Sequence, residues 1–490
     1  FSEADQEKIL EKYGHTLVLD CISENLDRSE RRIRARIQDL PDGEYCYEDY
    51  LEYYDGEVLD PVLMRLRLKV SGDQLTADFH GSSPQVPGVV NSSLAVAGAG
   101  VFVAVKSTLD PQGPVNSGAF RAIGLNAPEA SIVDVRGDAP AGAHGEVRKR
   151  AVSVMLGALA QVIPEAVSGD LSGTSFPNSI GGYSDARGRP YVYIEVPAGG
   201  NGGFHEADGS SAFVNVDFGS IRSIHNVESL ESDMPLQVRS CVLREDSGGE
   251  GARRGGLGMR RELRLCEGEA VYSVLGDRAV IPPFGVHGGG SAQQLAVSCQ
   301  RGDAVTLFNT PGKVTGHRIQ KDDLVIMESA GGGGYGDPLN RDPEDVRSDL
   351  LSGYITSHRA KAGYGVVFTG EGKVDNDRTK ALRLDIRGRR LTLTVKADET
   401  NPYIGNRGKR RVVRLSQTTV ERLGVCVGDL IELVGNHPAP LRCWIGFGEN
   451  IEDGSCPMDA FGRSVLGLNE TESVWVRPLP GPSAAGGMAV

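Results

Sequence analysis

The sequence predicts an α+β fold: a β-rich mixed domain preceded by N-terminal helices and followed by a small C-terminal β domain. Three patterns carry the prediction. Between Ser2 and Asp39 the apolar residues recur at helical spacing, first Ile9, Leu10, Tyr13 and Leu17, then Ile33, Ile37 and Leu40. From Val238 to Val305 short alternating segments such as E-L-R-L and A-V-Y-S-V-L are separated by glycines, which is how antiparallel strands read. From Val412 onward, alternation and G-D turns return in V-V-R-L-S, L-G-V-C-V-G-D-L-I-E-L and A-P-L-R-C-W-I.

The elements follow in order. Pro41-Asp42-Gly43 ends the N-terminal helices with turn chemistry. Met64 to Val70 alternates, and Leu75 to Phe79 follows a G-D turn, so a hairpin is expected. Leu94 to Leu109 is apolar and alanine-rich, long enough for a buried helix that Asn91, Ser92 or Ser93 can cap. Arg148 to Leu159 predicts a second helix, with His144 and Glu146 at its start, where a carboxylate gains from the helix dipole. Asp342-Pro343-Glu344-Asp345 supplies a cap, a proline and an acidic first turn for a helix to about Leu351, and Ser357 to Tyr364 gives a short further helix.

At 490 residues there is room for about three domains. The expected divisions are a helical segment 1–44, a core 45–369, a basic linker or small β unit 370–411, and a C-terminal β domain with its tail, 412–490. Within 370–411, 12 Lys and Arg stand against 6 Asp and Glu, although the whole chain carries a formal charge of −13. Such a segment either docks on an acidic partner surface or stays solvated. The overall acidity argues against nucleic-acid binding, which needs a basic face. No apolar run approaches the ~18 residues of a membrane span. A cytoplasmic enzyme or enzyme subunit fits these features, and eight cysteines without metal-ligand spacing fit reduced thiols there.

The densest polar cluster lies between Val196 and Asn226. After the strand-like Tyr191 to Glu195, Gly199, Gly200, Gly202 and Gly203 surround Asn201 and lead to His205, Glu206 and Asp208, with His225 and Asn226 beyond. Glycines at that density let a backbone approach a ligand closely, and they equally suit an ordinary surface turn. As candidate chemistry, His205 or His225 serves as acid or base near neutral pH, with Asp208 or Glu206 orienting it. Asn178, Asn201 or Asn226 stabilises an oxyanion, and Gly199, Gly200 and Glu146 contribute to substrate binding. Glu146 as a structural cap and His144 as a surface residue are the competing readings. There is no phosphate-binding G-x-x-x-x-G-K-[ST] loop, and no G-x-G-x-x-G set between a strand and a helix.

Five stretches together resemble one family. They are F-H-G-S-S-P-Q-V-P-G-V-V-N (Phe79 to Asn91), D-P-Q-G-P-V-N-S-G (Asp110 to Gly118), the glycine loop, G-G-E-G-A-R-R-G-G-L-G (Gly248 to Gly258) and G-G-G-G-Y-G-D-P (Gly331 to Pro338). In order and spacing, from about Tyr45 to Phe368, they resemble the hydantoinase B/oxoprolinase family, the B-type subunits of ATP-dependent hydantoinases, 5-oxoprolinases and acetone- or acetophenone-type carboxylases. The region after residue 412 resembles a double-psi-type β-barrel, which that family does not usually carry.

The resemblance implies a heteromeric, ATP-dependent enzyme that opens a cyclic amide such as a hydantoin or oxoproline. In such enzymes a separate A-type subunit handles ATP and phosphorylates the amide oxygen. That step makes the carbon attackable, and the B-type subunit completes the hydrolysis in a chamber that excludes water. ATP and a divalent metal are therefore expected on partner chains, with none bound by this chain alone. Family members carry further sequence before the point matching Ser2, including metal-binding Asp and His residues, so a second partner supplying that portion is expected. The resemblance also leaves open a ketone carboxylase subunit and a non-catalytic scaffold.

Overall fold

The computed structural model describes residues 3–213, 224–405, 409–448 and 451–479. The chain opens with helices Glu3–Tyr13 and His15–Gln38, divided at Gly14, whose φ of 79° breaks the helical path. Only the end of the second helix reaches the core, through Ile33 and Ile37.

Four strands follow in the order Gly43–Leu51, Val62–Ser71, Gln74–Asp78 and Ile123–Asn126. The first three pair antiparallel, and the expected hairpin joins Val62–Ser71 to Gln74–Asp78. The fourth lies parallel to Gln74–Asp78, so the helix Leu94–Leu109 acts as its crossover. That helix has the bounds its composition predicts, and Ser93 stands at its N-cap without a side-chain hydrogen bond. Asn91 instead ties its own loop, donating to the carbonyls of Val86, Gly88 and Pro140. Helix His144–Leu159 packs beside it at a distance only glycine allows. A Cβ on Gly100 would lie 2.4 Å from the Arg148 carbonyl oxygen.

Two antiparallel sheets form the middle of the chain. One runs Ala304–Leu307, Ala296–Arg301, Leu324–Glu328, Met259–Leu265, Leu236–Leu243, and the other runs Lys313–Gln320, Glu269–Leu275, Asn178–Ser184, Arg189–Glu195. The strand Met259–Leu265 buries alternate residues, as a half-buried strand does. Phe176, Ile180, Tyr193 and Tyr272 from one sheet region meet Leu263, Val325 and Met327 from the other in one apolar cluster.

Residues 370–411, expected as a basic linker or small β unit, hold the helix Asn376–Gly388, capped by Asp375, and the strand Leu391–Ala397, an interior strand of a seven-stranded sheet. The sheet runs Tyr403–Ile404, Arg410–Leu415, Leu441–Phe447, Leu430–Val434, Ser473–Pro478, Leu391–Ala397, Ser455–Met458, with parallel pairs at Arg410–Leu415 with Leu441–Phe447 and at Leu391–Ala397 with Ser455–Met458. Its two helices repeat one design. Ser416 caps Gln417–Leu423 and left-handed Gly424 closes it; Asp459 caps Ala460–Leu466 and left-handed Gly467 closes it.

This sheet is joined to the rest through the interior. The Tyr47 hydroxyl donates to the Pro440 carbonyl, and the ring of Tyr50 meets that of Trp444 edge-on at 4.8 Å. Asp49, fully buried, receives Arg150 at 2.5 Å, Arg278 at 3.0 Å and Arg442 at 3.1 Å, and the last of these comes from the C-terminal sheet. Burial alone would raise the Asp49 pKa, but three guanidinium groups overcome it and hold the carboxyl far below the usual range. No helix among the described residues is long and apolar enough to cross a membrane.

Candidate functional site

The glycine-rich segments converge. Gly332 donates to the Gly256 carbonyl, Gly256 to Asn201, Gly203 to Gly333, Gly169 to Gly203, Gly249 to Gly332 and Gly334 to Gly290. Segments far apart in sequence thus bond backbone to backbone with no side chains between them. Successive residues of the run Gly331–Gly334 face different neighbours. A Cβ would lie 1.9 Å from the Ser247 oxygen at Gly331, 2.0 Å from Asn201 at Gly332, 1.8 Å from Phe284 at Gly333 and 2.0 Å from Glu250 at Gly334. The glycines form a polar core in which the backbone amides satisfy one another.

The expected site residues distribute around this core. Gly199 and Gly200 are buried within it. A Cβ on either would meet Ser172 or Gly256, so their open sides face protein instead of a chamber. Asn201 contributes its carbonyl to Gly256, and its side-chain oxygen is buried without a hydrogen-bond partner among the described residues. Asn178 is fully buried, donating to the Phe176 carbonyl and accepting from the Tyr272 hydroxyl at 2.7 Å. Glu146, at the start of its helix, is 3% exposed and accepts from the Ser175 amide, and burial raises its pKa. Asn226 caps the helix Val227–Asp233. The stretch 214–223 of the glycine loop lies outside the described residues.

His205 and His225 stand in separate clusters. His225 is exposed, packs edge-on against Tyr193 at 5.7 Å, and donates its backbone amide to Glu195, which also holds Arg261. His144 is exposed at a helix start with Nδ1 3.0 Å from the Ala141 carbonyl oxygen, and His437 stays in the C-terminal sheet region beside Val465. Glu206 is exposed beside His205.

His205 leads to a cluster that the sequence pattern does not reveal. Its Nδ1 lies 3.3 Å from the Tyr335 hydroxyl, and the Tyr335 ring lies 4.8 Å from that of His287. His287 Nε2 sits 3.2 Å from the Pro164 carbonyl, an acceptor only, so Nε2 carries the proton and Nδ1 the lone pair. Burial lowers the His287 pKa and keeps it neutral near pH 7. Its backbone adopts φ 55°, a strained value for a non-glycine residue, and its amide donates to Pro438 of the C-terminal region. Tyr335 belongs to the G-G-G-G-Y-G-D-P stretch, but nothing in the sequence pairs it with His287.

Asp208 lies close to this group in the chain but serves differently. It accepts the Arg254 amide at 2.7 Å and both terminal nitrogens of Arg341, and Arg341 also reaches Asp349. Burial would raise the Asp208 pKa; the Arg341 pairing outweighs it and holds the carboxyl below the usual range. A carboxylate held that way anchors the loop and is a poor proton acceptor. Among the described residues, no group of three or more His, Cys, Asp or Glu side chains is placed to hold a metal ion.

Comparisons agree on one family. A family model described as Hydantoinase B/oxoprolinase matches residues 2–338. A protein of Pseudomonas sp. (strain NS671), assigned as the B-type component of a D-/L-hydantoinase, is 32% identical over 391 residues, covering 77% of this chain and 64% of its own. The beta component of the Pseudomonas jessenii caprolactamase is 29% identical over 77% of this chain and 65% of its own. This chain therefore spans just under two thirds of the length of these relatives. The crystal structure of ATP-dependent caprolactamase from Pseudomonas jessenii superposes with a TM-score of 0.72 at 28% identity, covering 78% of this chain and 67% of that one. Nucleotide-free acetone carboxylase shares the fold, with a TM-score of 0.70 at 20% identity over 78% of this chain and 57% of that one.

Proposed function

Because the chain belongs to the hydantoinase B/oxoprolinase family, we propose that it is the B-type component of a heteromeric, ATP-dependent amidohydrolase that opens a cyclic amide. One observation carries this reading. Hydantoinase, caprolactamase and 5-oxoprolinase, the named activities among the relatives, all take their names from cyclic amides. The acetone carboxylase likeness extends to fold and gives no separate support to a ketone substrate.

In this reading an A-type partner binds ATP and phosphorylates the amide oxygen. A further segment or chain supplies the divalent metal, for which no cluster stands among the described residues. This chain's own part is proton handling and positioning. His205, exposed and hydrogen-bonded to Tyr335, takes a proton from the attacking water or gives one to the departing ring nitrogen. Neutral His287 and Tyr335 fix its orientation, and the glycine core holds the loop that carries it. A partner is further supported by the N-terminal helices, which leave Ile9, Tyr13, Leu17, Leu19 and Ile22 exposed.

The experiment is to co-purify the chain with an A-type partner and assay ADP release against hydantoin, caprolactam and 5-oxoproline. ADP release that depends on one of these amides supports the reading. A fully assembled complex that consumes no ATP with any of them contradicts it.

A further inference from the structure

The helix Asn376–Gly388 forms one wall of a cleft of about 660 Å³, with the helix Ser357–Ala362, the end of the helix Gln417–Leu423 and the strand Ser473–Pro478 around it. A second cleft of about 310 Å³ continues it, sharing Ile386, Arg390, Trp475, Arg477 and Pro478, and reaches the edge of the glycine core at Gly290. The two make one groove. Its floor is apolar, from Leu382, Ile386, Leu391, Leu423 and Trp475, and its cations are Lys361, Arg389, Arg390, Arg422 and Arg477. Deeper in, Arg359 pairs with Glu250, the one carboxylate among the described lining residues.

Four of these cations fall into two sets, and Arg389 is paired with Asp385. Arg390 and Arg477 are fixed by Asp337 at 2.7 Å and Glu432 at 2.6 Å, and their guanidinium carbons lie 4.3 and 5.2 Å from the Trp475 ring. They build the floor. Lys361 and Arg422 are exposed on the rim, and neither enters an ion pair among the described residues. A chain of net charge −13 has thus gathered positive charge around an apolar floor.

We propose that this groove docks an acidic, leucine- or isoleucine-bearing segment of a partner chain. The aliphatic side chains would cover the floor, and the carboxylates would meet Lys361 and Arg422, which steer the encounter and set its register. Clefts of about 660 and 310 Å³ leave room for a segment's side chains beyond what a small anion fills. The chain's own residues 480–490, P-G-P-S-A-A-G-G-M-A-V, carry no carboxylate side chain and do not complement the rim. The proposal is independent of which amide the assembly opens.

Fluorescence anisotropy on the full chain tests it, with a labelled peptide of Glu-Glu-Leu repeats and a matched Lys-Lys-Leu peptide. The acidic peptide is expected to bind and the basic one not to. Trp475 emission should shift on binding, since the other tryptophan, Trp444, is buried elsewhere. Lys361→Glu combined with Arg422→Glu, both exposed and so tolerated by the fold, should weaken binding about tenfold, and added salt should weaken it as well. Three results overturn the proposal: equal binding of the basic peptide, unchanged affinity in the double variant, or displacement of the peptide by citrate at equal concentration, which marks a small-anion site. Self-association of the chain that the double variant abolishes also overturns it, by making a second copy the occupant.

Discussion

Arg341 grips the carboxylate of Asp208 with both terminal nitrogens, at 2.6 and 2.7 Å, across 133 positions of sequence. The pairing fixes the far end of the glycine loop against the segment after Gly331–Gly334, and it separates two neighbouring residues into different roles. His205 stays exposed while Asp208 is bound as an anchor.

Asp208→Asn is therefore expected to cost about 1–3 kcal/mol of stability, read as a lower urea midpoint, with turnover per folded molecule nearly unchanged. The sign with pH follows from the lowered carboxyl pKa. The wild-type advantage over Asp208→Asn is present above the ordinary Asp value of about 3.9 and is lost as pH falls through the lower folded value. A large loss of turnover with unchanged stability would return Asp208 to catalysis.

His205→Ala should lower turnover of the assembled enzyme by roughly 10²- to 10⁴-fold without changing assembly. Tyr335→Phe removes only the hydroxyl that His205 meets and should cost less. His287→Asn, a residue that tolerates positive φ, removes a histidine whose folded pKa is depressed. Stability of the wild type relative to this variant should be highest above the ordinary histidine value of about 6.5 and fall as pH drops below it. Denaturant melts at several pH values check this.

Gly333→Ala puts a Cβ 1.8 Å from the Phe284 oxygen, and backbone cannot yield there as a flexible side chain can. We expect at least about 3 kcal/mol of destabilisation or no soluble protein. Gly370→Ala, where nothing lies within 4 Å, should change stability by less than about 0.5 kcal/mol. Thermal melts of the pair test whether the glycines are a core.

Much of the fold could be read from local pattern, and the reasons for the exceptions are physical. Leu94–Leu109 and the Asp342-capped Pro343–Leu351 follow from composition and capping, both local signals. The strand Leu391–Ala397 alternates as L-T-L-T-V, but it stands among arginines that suit a solvated linker equally well, so local pattern leaves both readings. The buried partners of Asp49 lie 101, 229 and 393 residues away, and no local pattern announces them. In the candidate site, glycine density marked a region where backbones pack against one another. It shows where backbones can come close, but whether a ligand or another backbone comes close depends on which segments meet.

Arg442→Met leaves Asp49 with one guanidinium fewer and removes the ion pair that the C-terminal sheet supplies. Removing one partner of a buried pair costs about 3–5 kcal/mol. A chain ending at residue 390 should fail to fold for the same reason, since Leu393, Val413 and Leu441 share one apolar cluster with Tyr47 and Leu66. Circular dichroism and dye binding of the truncated chain decide whether the C-terminal sheet is integral or an independent appendage.

Whether this chain is part of a cyclic-amide hydrolase is decided by counting ring-opened product and ADP together in its complex with the A-type partner and the metal-supplying segment, given hydantoin, caprolactam and 5-oxoproline in turn. One of these amides should be opened with ADP formed in step, omission of ATP or either chain should abolish product, and His205→Ala should lower both rates together. Ring opening by this chain alone without ATP, or an assembled complex that opens none of the three, would show the assignment to be wrong.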